Sequence, residues 1–171
     1  MNDIFVEQLV KRKATASVIL LRILVYAAVI LLAVPFLFTK LFFITGPVAA
    51  VAAFFLARYL LARLNLEFEY ALTNSELDIA MITGGKKRSD MLSVNVTDME
   101  FAAPVSQDFS SEFQNSNIKT TYNASSSDSS EHRWFILFRK DGALCRLIFE
   151  PKEQIIQGIE RYKPYIVHRS L

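Results

Sequence analysis

Two strongly apolar runs, Val18 to Phe38 and Phe42 to Leu61, are separated only by Thr39, Lys40 and Leu41. Each is about 20 residues, the length a helix needs to cross a bilayer, and backbone in hydrocarbon must find its hydrogen bonds within the segment. The pattern therefore predicts an antiparallel transmembrane hairpin over residues 17–63, with both ends of the chain on one side. Apolar residues surround nearly the whole circumference of both runs, which argues against a one-sided helix in a soluble core. Lys11, Arg12 and Lys13 ahead of the first run have the form of a signal-peptide start. The run is longer than a signal core, lacks a small-x-small cleavage site and is followed at once by a second span, so it reads as an intact anchor.

Before the first span, Ile4, Phe5, Val6, Leu9 and Val10 are interleaved with Asp3, Glu7 and Gln8. Residues 1–16 thus read as an amphipathic cytoplasmic segment. One form is a short helix capped by Asn2 or Asp3 and lying along the leaflet; the other continues the first span outward.

After Leu61 the period changes to two. Leu66, Phe68, Tyr70 and Leu72 alternate with Glu67, Glu69 and Ala71; Leu77, Ile79 and Met81 alternate with Glu76, Asp78 and Ala80. That is the pattern of half-buried strands, joined by a tight turn at Thr73, Asn74 and Ser75, with Gly84-Gly85 ending the second. Further strands are expected over Lys87 to Ser93 and Val94 to Ala102, closed by Pro104. From Val105 to Glu131 the chain is rich in Ser, Asn, Asp and Thr and reads as a long mobile loop, with Asn115 to Tyr122 a candidate irregular strand. Asp141-Gly142 joins Arg133–Arg139 to Ala143–Phe149 as a hairpin, and the continuous Trp134 to Phe138 run predicts a central strand. Pro151 opens a helix with an apolar stripe of Ile155, Ile156, Ile159 and Tyr162, ended at Lys163-Pro164. Residues 64–171 are therefore expected to form a small α+β domain: an antiparallel, strongly bent sheet or partial barrel whose open end is covered by one C-terminal helix.

Charge orients this plan. Lys11, Arg12, Lys13 and Arg22 flank the entry to the hairpin, Arg58 and Arg63 flank its exit, and the outer connection holds Lys40 alone. Basic residues are retained inside, which places both termini in the cytoplasm of a multi-pass membrane protein. Arg22 and Arg58 snorkel from similar depths. Gly46, Ala49, Ala50, Ala53 and Ala57 form a small-residue stripe on the second span, suited to packing against the first span or to self-association.

The search for chemistry turns up little. Cys145 is the single cysteine and reads as a small apolar residue; His132 and His168 lack ligand spacing. Gly84-Gly85-Lys86-Lys87 lacks the spacing and the Ser or Thr of a nucleotide loop, and is a turn. Glu67, Glu69, Glu76 and Asp78 fit a solvated sheet face rather than a catalytic pair. No cofactor or metal is implied. The net charge of +2 and the absence of a basic stripe argue against nucleic acid. Lys86, Lys87 and Arg88, with Lys11, Arg12 and Lys13, are the candidate contacts to anionic lipid headgroups, because Ala62 to Asn65 is too short a linker to let the domain leave the membrane.

The segment ending Val10-Lys11-Arg12-Lys13, the two spans, the stretch Glu67-Phe68-Glu69-Tyr70-Ala71-Leu72-Thr73-Asn74-Ser75-Glu76-Leu77-Asp78-Ile79, and Ile148-Phe149-Glu150-Pro151 resemble an uncharacterised family of two-span membrane proteins from clostridia-like Gram-positive bacteria. The order of spans, strands and final helix is also similar to bacterial proteins with a membrane-anchored pleckstrin-homology-like (PH-like) domain. The spans, the local basic charge and the lack of a catalytic constellation together lead to the expectation of a non-enzymatic, membrane-anchored adaptor or binding module whose partner is lipid or another membrane or cytoplasmic protein. A structural subunit of a membrane assembly is the alternative, and an enzyme with an unrecognised site a distant one.

Overall fold

The computed structural model describes residues 4–34, 38 and 42–169, with backbone alone at 32, 33, 42 and 43. The expected cap at Asn2 or Asp3 and the connection Thr39 to Leu41 lie outside the described residues. The chain divides into two compact units: a helical unit of Lys13–Leu66 with Thr83–Lys87, and a β-rich unit made of the residues up to Arg12, Glu67–Ile82 and the chain from Arg88 onward.

In the helical unit, α1 (Ala16–Ala33) and α2 (Phe42–Ala62) contact each other. The window Ile44–Ala62 is long and apolar enough to cross a membrane and only 6% of it is buried; Ala16–Leu31 is a shorter apolar helix. On α1 the more shielded side chains are Val18, Arg22, Val25 and Val29, and on α2 Gly46, Ala49, Ala53 and Ala57, each set at three- and four-residue spacing on one helix face. Ala50 of the expected stripe is exposed. Leu24, Ile30, Phe54, Phe55 and Leu56 are also exposed.

The β-rich unit holds two four-stranded sheets. The first has the order β1 (Phe5–Lys11), β2 (Leu66–Thr73), β3 (Glu76–Thr83), β4 (Lys87–Asn95). The second is built from β5 (Met99–Pro104), β6 (Thr120–Asn123), β7 (Trp134–Lys140) and β8 (Ala143–Phe149), in the order β5-β7-β8-β6. A 3-10 turn at Val96–Asp98 divides β4 from β5, where the sequence suggested a strand over Val94 to Ala102. The turns carry their expected chemistry: Asn74 takes φ 53° between β2 and β3, and Asp141 and Gly142 take 50° and 77° between β7 and β8. β7 lies between β5 and β8, as its two-sided apolar run demands. Two residues beyond Pro151 the last helix begins, Glu153–Tyr162, and it buries Ile155, Ile156 and Ile159 in the main core with Phe68, Tyr70, Leu72, Ile136, Phe138, Leu147 and Phe149.

Two expectations are overturned. Phe5–Lys11 is not a helix: it is an edge strand antiparallel to β2, with Phe5 opposite Thr73 and Lys11 opposite Glu67. Val6 and Val10 pack on the main core while Phe5 and Leu9 point outward, a period of two that a short apolar run also shows as a helix. Residues 105–131 are not a structureless loop. They carry a 3-10 turn at Gln107–Phe109, a one-turn helix α3 (Ser110–Phe113), and β6, which pairs parallel to β8 and makes that sheet mixed. Phe109, Phe113 and Ile118 pack on Ala103, Phe135, Leu137 and Ile148, a second small core on the sheet face opposite the first. We refer to 105–119 as the strap.

Candidate functional site

The basic residues singled out by sequence fall into two settings. Lys86, on the turn after β3, and Lys87, the first residue of β4, are exposed and belong to the helical unit. Gly84 fixes that turn: its N–H donates to the Asn65 carbonyl at 2.9 Å, and a Cβ on it would stand 3.1 Å from the Ala62 carbonyl oxygen. With φ at +65°, in the left-handed region, the position favours glycine twice over. Asn65 also accepts a hydrogen bond on Oδ1 from Arg22 Nη2 at 2.8 Å, so α1, the end of α2 and the basic turn meet at one residue. Arg63 bonds the Tyr59 hydroxyl and lies over its ring at 4.6 Å.

The remaining predicted lipid contacts are engaged with carboxylates or lie elsewhere. Lys11 pairs with Glu67 at 3.7 Å and Arg88 with Glu69 at 3.3 Å, both within the β-rich unit. Arg12 belongs to that unit also and Lys13 to the helical one. The acidic sheet face is thus partly neutralised by the very cations that the sequence suggested for lipid, and Glu76 accepts from Ser93 Oγ at 2.8 Å.

The distribution of charge between the units is unequal. Residues 13–66 and 83–87 carry seven Lys and Arg and not one Asp or Glu; the rest of the chain keeps twelve cations against seventeen carboxylates. The net +2 therefore conceals a unit of +7 and a unit of −5.

Sequence reasoning missed a polar lock between the first strand and the end of β8. Gln8 Nε2 donates to the Glu150 carbonyl at 2.8 Å, Lys152 N–H donates to Gln8 Oε1 at 2.7 Å, and Lys152 Nζ reaches the Glu7 carbonyl at 2.6 Å. The buried Tyr70 hydroxyl donates to the Ala124 carbonyl at 2.6 Å and accepts from the Glu150 N–H at 3.3 Å. Burial pushes the Tyr70 phenol far above its ordinary range, so it stays protonated and able to donate. Glu150 Oε1 in turn accepts from both the N–H and the hydroxyl of Ser126, at 2.8 and 2.9 Å. Glu150 thereby satisfies the polar groups of the buried Ser126.

Arg146 plays a comparable part for the strap. Its guanidinium lies 4.3 Å from the centre of the Phe113 ring and donates to the Phe113 carbonyl, while partial burial lowers its pKa. His168 stacks on Phe101 at 4.4 Å, and Cys145 is buried without a disulfide. Among the described residues no group of three or more His, Cys, Asp or Glu is arranged to hold a metal ion.

One open cleft of about 480 Å³ lies at the end of the second sheet, lined by Glu100, Asn115, Ser116, Asn117, Lys119, Arg139 and residues 142–144. Its lining is mixed, polar side chains standing beside Ala143 and Leu144, and Arg139 Nε contacts Glu100 Oε1 on its wall at 2.6 Å.

Compared with known proteins, residues 2–169 match the model of a family described as the bacterial PH-like domain (DUF6106), and the chain belongs to that family. No curated protein and no solved structure matches it.

Proposed function

We propose that this member of the bacterial PH-like family is a non-enzymatic, membrane-anchored binding module: α1 and α2 span the cell membrane as a hairpin, both termini lie in the cytoplasm, and the PH-like domain receives a partner there. The observation that carries this reading is the helical unit itself. Its apolar side chains are exposed rather than buried. Seven cations and no carboxylate accompany them, and Lys86 and Lys87 are seated on the terminus of α2 by Gly84 and Asn65. Hydrocarbon accounts for the exposed surface, and an anionic leaflet accounts for the cations at its edge. Arg22 fits the same reading, since its side chain reaches Asn65 beyond the end of α2 instead of remaining among apolar groups.

Topology is tested with cysteines in the full chain, where the native Cys145 is buried and gives little background. Thr39→Cys is expected to react with an impermeant maleimide in intact cells. Ser89→Cys, on an exposed strand position, is expected to react only after the membrane is opened. Labelling of both from the same side would refute the hairpin.

A second reading, a structural subunit of a membrane assembly, is favoured by one observation: Phe5 and Leu9 stand 68% and 57% exposed on the outer face of an edge strand. A stable stoichiometric partner after mild detergent extraction, lost in Phe5→Ser with Leu9→Ser, would select that reading over a transient adaptor.

A further inference from the structure

The open cleft beside the β7–β8 turn stands apart from everything used above. One wall is strap residues 115–119, pinned where the Lys119 N–H donates to the Leu144 carbonyl at 2.9 Å. The rest of the lining comes from the start of β8 with Arg139 and Glu100. Arg139 is held by Glu100 through Nε, which leaves the two Nη groups of its fork without a protein partner among the described residues. Lys119 Nζ likewise has none. Asn115 Oδ1 is occupied by the Asn117 N–H at 2.9 Å, so the amide nitrogen of Asn115 remains available, as does the Ser116 hydroxyl. The cleft thus gathers an oriented guanidinium fork, an ammonium, an amide and a hydroxyl, all able to donate, in a unit that is otherwise net negative.

We propose that this cleft binds an acidic segment of a partner protein, a short extended stretch whose carboxylates are received by Lys119 and the free fork of Arg139. The inference rests on reading the domain as a binding module and names the chemistry of its partner. A guanidinium fork matches a carboxylate bidentately, and such charge-assisted bonds are stronger than neutral ones. A volume of about 480 Å³ lies within the range of ligand sites, yet a drug-like apolar ligand would leave these donors unmet. Glu100 on the wall disfavours a compact, highly charged anion. It tolerates a peptide, whose carboxylates are spaced and whose backbone offers carbonyls to Asn115 and Ser116.

The test uses the full chain in micelles of neutral detergent and a labelled hexapeptide of alternating glycine and glutamate, followed by fluorescence anisotropy. Saturable binding is expected, at least fivefold weaker in Lys119→Gln and in Arg139→Gln, and unchanged in the Lys86→Gln, Lys87→Gln pair. No binding, equal binding of the glycine–glutamine peptide, or unchanged affinity in both cleft variants would overturn the proposal. Displacement by inorganic phosphate at the peptide's own concentration would instead mark a small-anion site and overturn the peptide assignment. Because no membrane takes part, failure here leaves the anchoring reading untouched, and failure of the cysteine labelling leaves this one untouched.

Discussion

The two units of this chain spend their apolar residues in opposite ways. In the β-rich unit Phe68, Phe138 and Phe149 are at most 2% exposed, packed in one core by residues of both sheets and the last helix. In the helical unit Ile30, Phe54 and Phe55 are more than 60% exposed, although their chemistry is the same. Charge follows the same division, at −5 and +7. A residue buried by protein owes its stabilisation to neighbours that any denaturant can remove. A residue left bare by protein owes it to whatever solvent surrounds the helices, which is the argument for lipid.

The sharpest way to break this comparison is to truncate one phenylalanine in each unit. Phe138→Ala empties a fully buried site and is expected to cost about 3–5 kcal/mol of unfolding free energy. Phe54→Ala, at 63% exposure, is expected to leave the urea midpoint of the β-rich unit within error. Denaturation of both variants in the same detergent, followed by Trp134 fluorescence, makes the measurement. A large loss from Phe54→Ala would show that α2 is packed by protein after all.

The same contrast explains what could be read from the sequence. Elements whose pattern is local came through: the β2–β3 and β7–β8 hairpins, because Asn74 and Asp141-Gly142 fix their turns, and the last helix, because Ile155, Ile156 and Ile159 share one stripe. The first strand did not. Its seven residues suit a strand or a short amphipathic helix equally, and what decides is pairing with residues some sixty positions along the chain, opposite Thr73 to Glu67. The strap was hidden by averaging: three anchors, Phe109, Phe113 and Ile118, are scattered through a polar stretch, and its composition describes the exposed majority. The cleft was illegible for the same reason, since Lys119 and Arg139 are brought together only once the strap is pinned to β8.

A middle-sized effect is expected at the lock. Tyr70→Phe removes a hydroxyl that serves the Ala124 carbonyl and the Glu150 N–H in a buried place, and should cost about 1–3 kcal/mol. It also has a pH signature of defined sign. Burial raises the folded pKa of this phenol above its ordinary value of 10.0, so its contribution is complete below that value and is lost as pH rises above it. Stability of the native chain should therefore fall between about pH 10 and 12 more steeply than that of Tyr70→Phe. Parallel curves from urea titrations at each pH would show that Tyr70 is not the group responsible.

The smallest effect belongs to the cations of the helical unit and sharpens the comparison most finely, because it asks whether that unit's charge answers to lipid. Near an anionic surface each Lys is worth about 1 kcal/mol, so Lys86→Gln with Lys87→Gln should weaken binding of a short-chain anionic phospholipid to the full chain roughly thirtyfold at low salt, and of its zwitterionic analogue not at all. The difference should shrink as salt rises, since the screening length is about 10 Å at 0.1 M. Gly84→Val separates charge from placement. It keeps both lysines but puts a side chain where a Cβ already meets the Ala62 carbonyl at 3.1 Å, so the turn must leave the end of α2. If position matters, Gly84→Val loses most of the anionic preference with its charge intact, whereas equal retention in Gly84→Val and the native chain would mean that Lys86 and Lys87 need no docking to α2. Equal binding of anionic and zwitterionic lipid by the native chain would end the headgroup reading and turn the question of a partner to the Lys119–Arg139 cleft and the Phe5–Leu9 edge.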